Sequence, residues 1–210
     1  MTTNNETLFG LNHNPETSGY VVLPIPWDAT VSYGEGTASG PKAVLKASPQ
    51  LDLYHPDYPD IIEKGIAMFP EDPNWKSENQ RIRALAEPII RRFDEEGVPK
   101  LSDSEETVLS IINQTSENLQ SWITDMCLKL FKVKQKWALL GGEHSVSYGG
   151  IRAAAQQFPG IGVLQIDAHM DLRPAYQGFS HSHASVMHNV YKLENISKIV
   201  QVAVRDYCDQ

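Results

Sequence analysis

From Lys136 to Val204 the sequence alternates short apolar runs with stretches of helical character, and this alternation restricts the fold more than any other feature. "KWALLGG" (136–142), "IGVLQID" (161–167) and "SKIVQVAV" (197–204) read as strands, with "YGGIRAAAQQF" (148–158) and "HASVMHNVYKL" (183–193) as the helices between them. That order implies parallel strands joined by right-handed crossovers, with helices on both faces of the sheet. The fold class is α/β with a mainly parallel sheet. The front half fits the same scheme more loosely. "GYVVLPIP" (19–26) reads as a first strand, "SGPKAVLKAS" (39–48) as a helix with Pro41 near its start, and "GIAMF" (65–69) as a second strand. The polar stretch "PEDPNWKSEN" (70–79) reads as a connector. Ile82, Leu85, Ala86, Ile89, Ile90 and Phe93 follow at helical spacing, with Pro88 expected to kink or interrupt the helix and Gly97 with Pro99 to end it. Leu119, Trp122, Ile123, Met126 and Leu130 make the 104–133 region largely helical. Core packing suffices to explain both stripes.

At 210 residues, 41% of them hydrophobic and 21% charged, the chain is read as a single domain, 1–210, with one sizeable core. No apolar run approaches the roughly 20 residues of a bilayer span, and "MTTNNETLFG" lacks the basic and apolar regions of a signal peptide. A cytoplasmic protein with no membrane partner is expected. Cys127 and Cys208 are too few and too far apart for a disulfide framework or a cysteine-based zinc site, so any metal must use oxygen and nitrogen. A net charge of -8 disfavours nucleic acid as a partner and mildly favours cationic substrates.

The chemistry gathers where two of these strands end, the side on which open α/β sheets bind ligands. In "LQIDAHMD" the apolar run stops at Asp167, and Asp167, His169 and Asp171 occupy alternate positions. If extended geometry persists, they share a face. Two carboxylates that close repel unless a cation lies between them or one is protonated, and a metal is the simplest answer. "WALLGGEHS" delivers Glu143 and His144 after the preceding strand, and adjacent parallel strands would bring His144 to the Asp-His-Asp group. Mixed carboxylate and imidazole ligands suit manganese, iron or zinc better than calcium or magnesium. The glycines of "YGEGTASGP" lack the Lys-Ser/Thr of a phosphate loop and read as turn-formers near the site mouth, and His13 and His55 as surface residues.

These motifs together resemble the agmatinase and arginase family of ureohydrolases. "GGEHS" resembles the family's GGDHS, "DAHMD" matches DAHxD, "SHASVM" resembles a downstream Ser-His-Gly/Ala segment, and "PIPWDATVSYGEGTASGPKAVLKAS" looks like the agmatinase-type opening. The resemblance runs from about Tyr20 to the end. It implies a three-layer α/β/α fold and a binuclear manganese centre that hydrolyses guanidino groups, agmatine to putrescine and urea being the expected reaction, a step of polyamine biosynthesis. His144 and Asp171 would then ligate one ion, His169 the other, and Asp167 would bridge them. A proton for the leaving nitrogen would come through a histidine or through Asp171, with His183 the first candidate and His181 the second. Glu143, where the family usually has Asp, would orient His144. A small cationic guanidino substrate and a homo-oligomer are the expected partners.

The resemblance also implies a later Asp-x-Asp pair, which "VAVRDYCDQ" does not supply, since Asp206 and Asp209 are separated by two residues rather than one. The expectation is therefore a truncated or naturally incomplete member. Other readings are a hydrolase of guanidinobutyrate, guanidine, arginine or formiminoglutamate, or a noncatalytic metal-binding relative. A deacetylase of the same fold class is disfavoured, because no His-His pair precedes the Asp-x-His segment.

Overall fold

The structure, a computed structural model, describes residues 6–207, so Cys208 and Asp209 lie outside the described residues. In chain order its elements are β1 (Tyr20–Ile25), α1 (Gly40–Ala47), β2 (Ile66–Met68), α2 (Pro73–Glu96), α3 (Asp103–Lys132), β3 (Lys136–Gly141), α4 (Ser147–Gln157), β4 (Ile161–Ile166), α5 (Val186–Tyr191) and β5 (Ile196–Val202). Every strand pairing is parallel, in the order β2-β1-β3 and, separately, β4-β5.

The helical hairpin starts earlier than the polar connector suggests. Asp72 accepts hydrogen bonds from the Asn74 and Trp75 amides, and Pro73 takes a first-turn position where its missing donor costs nothing, so α2 begins inside 70–79. Pro88 does not interrupt α2. Its missing N–H forfeits one helical bond, while Ile82, Ala86, Ile89 and Ile90 on the same helix are buried against the core and hold it in place. At the other end of the turn, Ser102 and Glu105 form a reciprocal capping box that starts α3.

The main core joins Leu23, Ile25 and Trp27 of the β1 region to Ile82, Ile112, Leu119 and Ile123 of the hairpin. Cys127 packs there as a small apolar group, and burial pushes its thiol up to about 12, which leaves it inert. A second cluster, Val186, Met187 and Val190 of α5, packs on Val163, Ile196 and Ile199 of the β4-β5 pair.

Helix α4 connects the two clusters. Ala153 belongs to the first, while Tyr148 and Ile151 pack on the second. It approaches α3 closely at Gly149, where a Cβ would come 2.7 Å from both the Gln120 carbonyl oxygen and the Ile123 Cβ. Arg152 fixes the same interface, donating to Glu117 (2.9 Å), Thr124 (2.9 Å) and Ser121 (3.2 Å).

Among the described residues no ladder joins β3 to β4, so these strands are not adjacent members of one sheet. They share α4 as a floor, and the loops beyond their carboxyl ends carry out the convergence that strand pairing was expected to provide. No described helix is long and apolar enough to cross a membrane.

Candidate metal centre

The first arm of the site leaves β3 through Gly142. Its φ is +60°, and a Cβ there would lie 2.2 Å from the Trp27 carbonyl oxygen, so only glycine lets this loop pass the loop that follows β1. The Glu143 amide donates to that same Trp27 carbonyl (2.8 Å), which locks the two loops together. His144 then opens a 3-10 turn, His144–Val146.

The second arm leaves β4 at Ile166. The Asp167 amide donates to Val202 (3.0 Å), and one Asp167 oxygen accepts the His169 amide (2.9 Å), which turns the chain out of extended geometry. Asp171 sits in the left-handed region at φ +54°, and its carbonyl accepts the Met187 and His188 amides of α5 (2.9 and 3.1 Å). Gln165 and Gln201, opposite each other in the β4-β5 ladder, support the turn from below. Gln201 donates to the Gln165 side chain (2.6 Å) and the Met170 carbonyl (2.7 Å), and Gln165 donates to the His169 carbonyl (3.2 Å) and Asp171 (3.4 Å).

These arms bring His144, Asp167 and Asp171 together. His144 Nδ1 lies 2.6 Å from Asp171 and 3.2 Å from Asp167, and one ligand atom from each of the three falls within 4.8 Å of the others. Burial opposes a charged His144 imidazole, but the hydrogen bond and charge of Asp171, with Asp167 and Glu143 behind it, outweigh burial and raise its pKa. Burial likewise opposes the Asp167 anion, and the His169 amide and the His144 charge overcome it to hold that carboxyl below its usual range. The site therefore demands positive charge between two carboxylates. With two oxygens and one imidazole nitrogen, the donor set fits a divalent cation of the manganese, iron or zinc kind.

His169 stands apart from this group. Its side chain is 59% exposed, 3.6 Å from Asp167 on one side and 3.4 Å from Asp206 on the other. The extended geometry on which a shared face depended does not persist. The strand ends at Ile166, and the turns at Asp167 and Asp171 pull the two aspartates inward while His169 stays at the rim.

The two relay candidates have different surroundings. His181 contacts Glu117 of α3 (2.9 Å) and packs on the Tyr148 ring, and burial lowers its pKa despite that carboxylate. Among the described residues, His183 Nδ1 is buried without a hydrogen-bond partner, 3.6 Å from Glu143 Oε2, which also has none. Glu143 Oε1 accepts from Thr30 (2.8 Å) and Ser145 (2.7 Å). No hydrogen bond links Glu143 to His144, so the expected support of His144 by Glu143 is not the contact seen. Sequence reasoning missed Thr30, Gln165, Gln201 and Asp206 as site neighbours. A lone threonine in a loop gives no signal, whereas the facing glutamines break an otherwise apolar strand pattern and could have been found.

The glycine-rich turn closes on Asp28, which accepts the Gly36 and Ala38 amides (2.9 and 3.0 Å). It borders a cavity of about 480 Å³ with Arg83, Lys42 and Glu87, which His144, Asp167 and Asp171 do not line.

Residues 18–210 match the model of the arginase family. Over 199 residues the chain is 31% identical to the N(1)-aminopropylagmatine ureohydrolase of Thermus thermophilus, covering 94% of this chain and 55% of that protein. Over 191 residues it is 27% identical to the agmatinase of Bacillus cereus, covering 90% and 53%. The crystal structure of the agmatine ureohydrolase of Thermoplasma volcanium aligns with a TM-score of 0.64 at 24% identity, over 93% of this chain and 53% of that one. That likeness bears on the fold alone, and it supports the α/β arrangement. The chain spans about half the length of the curated relatives it matches.

Proposed function

The chain belongs to the arginase family, and from that premise we propose that it serves manganese-dependent hydrolysis of a guanidino compound, with agmatine, giving putrescine and urea, as first choice. The observation that carries this reading is the convergence of His144, Asp167 and Asp171 at the mouth of two parallel strand pairs. His144 and Asp171 would hold one ion, His169 the second, and Asp167 would lie between them. A bound metal would supply a water acidified toward neutrality beside the guanidinium carbon.

The protein's own groups do the rest. The chain's net charge of -8 favours the approach of a cationic guanidinium. His183 hands a proton to the departing nitrogen, with Asp171 as the alternative carrier. His181 is less suited, since Glu117 and Tyr148 already hold it. A cytoplasmic setting and a homo-oligomer belong to the same proposal; the bare apolar face of the β4-β5 pair supports assembly.

The test is urea release by the purified chain with manganese from agmatine, arginine, guanidine, guanidinobutyrate and guanidinopropionate. Turnover of agmatine, abolished by Asp167→Asn, supports the proposal, and failure on all five substrates sinks it. A noncatalytic metal-binding relative is the second reading, favoured by the exposed place of His169 outside the close group. Turnover that Asp167→Asn removes would exclude it. Activity confined to formiminoglutamate would move the substrate class and keep the metal site.

A further inference from the structure

We propose that Glu143 is the positioning residue of His183, gripping its ring at Nδ1 and leaving Nε2 as the nitrogen that exchanges protons in the site. This rests on the reading of His183 as proton carrier. The Glu143 side chain is 1% exposed. A carboxylate buried that deeply is costly unless its lone pairs are met. Thr30 and Ser145 satisfy Oε1, and Oε2 has no donor among the described residues. The nitrogen that faces Oε2 is His183 Nδ1, itself buried and unpartnered at 3.6 Å. Two orphaned atoms of opposite hydrogen-bonding need thus point at each other across a gap only a few tenths of an ångström too long for a bond.

The remaining contacts make this arrangement specific. His144 turns its Nδ1 to Asp171 and Asp167, so Glu143 is not needed to orient it. Thr30, fully buried on the loop after β1, sets the Glu143 carboxylate from the far side, and Tyr176 meets the His183 ring nearly edge-on at 5.8 Å. Donation from Nδ1 to a carboxylate fixes the imidazole tautomer, which leaves Nε2 unprotonated in the neutral ring.

The tautomer can be read directly. In the 210-residue chain labelled with heavy nitrogen in histidine and carrying no added metal, nitrogen–proton correlation spectra should show His183 in the Nδ1–H form. Glu143→Gln and Thr30→Val should lose that fixed form and Thr30→Ser should keep it, with the His144 signal confirming that each variant is folded. With manganese, Glu143→Gln should lower kcat for agmatine by roughly 10- to 100-fold with KM little changed.

A His183 tautomer unmoved by Glu143→Gln in folded protein overturns the proposal, as does a change confined to His144. The threonine pair decides the case if Glu143→Gln does not fold. If no guanidino substrate is turned over, the functional reading falls, while dependence of the His183 tautomer on Glu143 would still support the positioning role.

Discussion

Asp171 carries two structural duties that a single substitution can separate. Its carboxylate lies 2.6 Å from His144, and its carbonyl accepts two amides of α5 from a left-handed backbone at φ +54°. Glycine adopts that backbone freely. Asp171→Gly should therefore keep the turn and its backbone hydrogen bonds while removing the proposed metal ligand. Titration calorimetry should show manganese affinity reduced at least about 10-fold, with the stability of the metal-free chain within about 1 kcal/mol of wild type. Equal losses of binding and stability would show that the carboxylate also holds the loop. At this scale the sequence was informative about identity and silent about geometry. Asp167, Asp171 and His144 were legible because their types are expensive to place together without a cation. The exposed place of His169 was not, since it depends on a turn that begins one residue after the strand. Thr30 was invisible because its role exists only once the loops after β1 and β3 are pressed together at Gly142.

At the scale of elements, periodicity located the helices well and the limits less so. Asp72 capping and Pro73 moved the start of α2 into a stretch that composition marks as polar, and burial of one face carried the helix through Pro88. The pairing of strands was not legible, because a strand's apolar pattern does not name its neighbour. The α3-α4 interface is where the elements depend most on fit. A methyl added at Gly149 meets backbone and a β-branched side chain, neither of which yields easily. Gly149→Ala should cost about 1–3 kcal/mol, read as a lower urea midpoint at unchanged slope; no shift would mean that α4 slides freely on α3. The hairpin turn should respond to acid. The Arg92 guanidinium, with Ser102, holds the Glu105 carboxyl down at about 2 against an ordinary 4.5. A depressed folded pKa gives a contribution that is complete above 4.5 and is lost as pH falls toward about 2. Amide protection in the first turn of α3, measured against the intrinsic exchange rate at each pH, should fall across that window, and by less in high salt, because the pair is exposed.

For the molecule as a whole, the asymmetry of the β4-β5 pair is the main consequence of how the elements are shared out. One face packs Val163, Ile196 and Ile199 on α5 and α4. The other presents Leu164 and Ile166 directly opposite Val200 and Val202, at 63%, 74%, 38% and 46% exposure. Four contiguous apolar side chains beside a β4 edge that is unpaired among the described residues form the kind of patch that associates. The chain should therefore sediment as concentration-dependent oligomers. Leu164→Lys with Val200→Glu places opposite charges in a cross-strand pair on that face, which keeps the ladder while removing its apolar character. The double variant should sediment as monomer at concentrations where the parent associates, with manganese affinity unchanged, because the substituted side chains point away from the Gln165 and Gln201 side that supports the metal loop. Association that persists in the double variant would place the interface elsewhere, and a parallel loss of manganese binding would mean that assembly through this face shapes the centre itself.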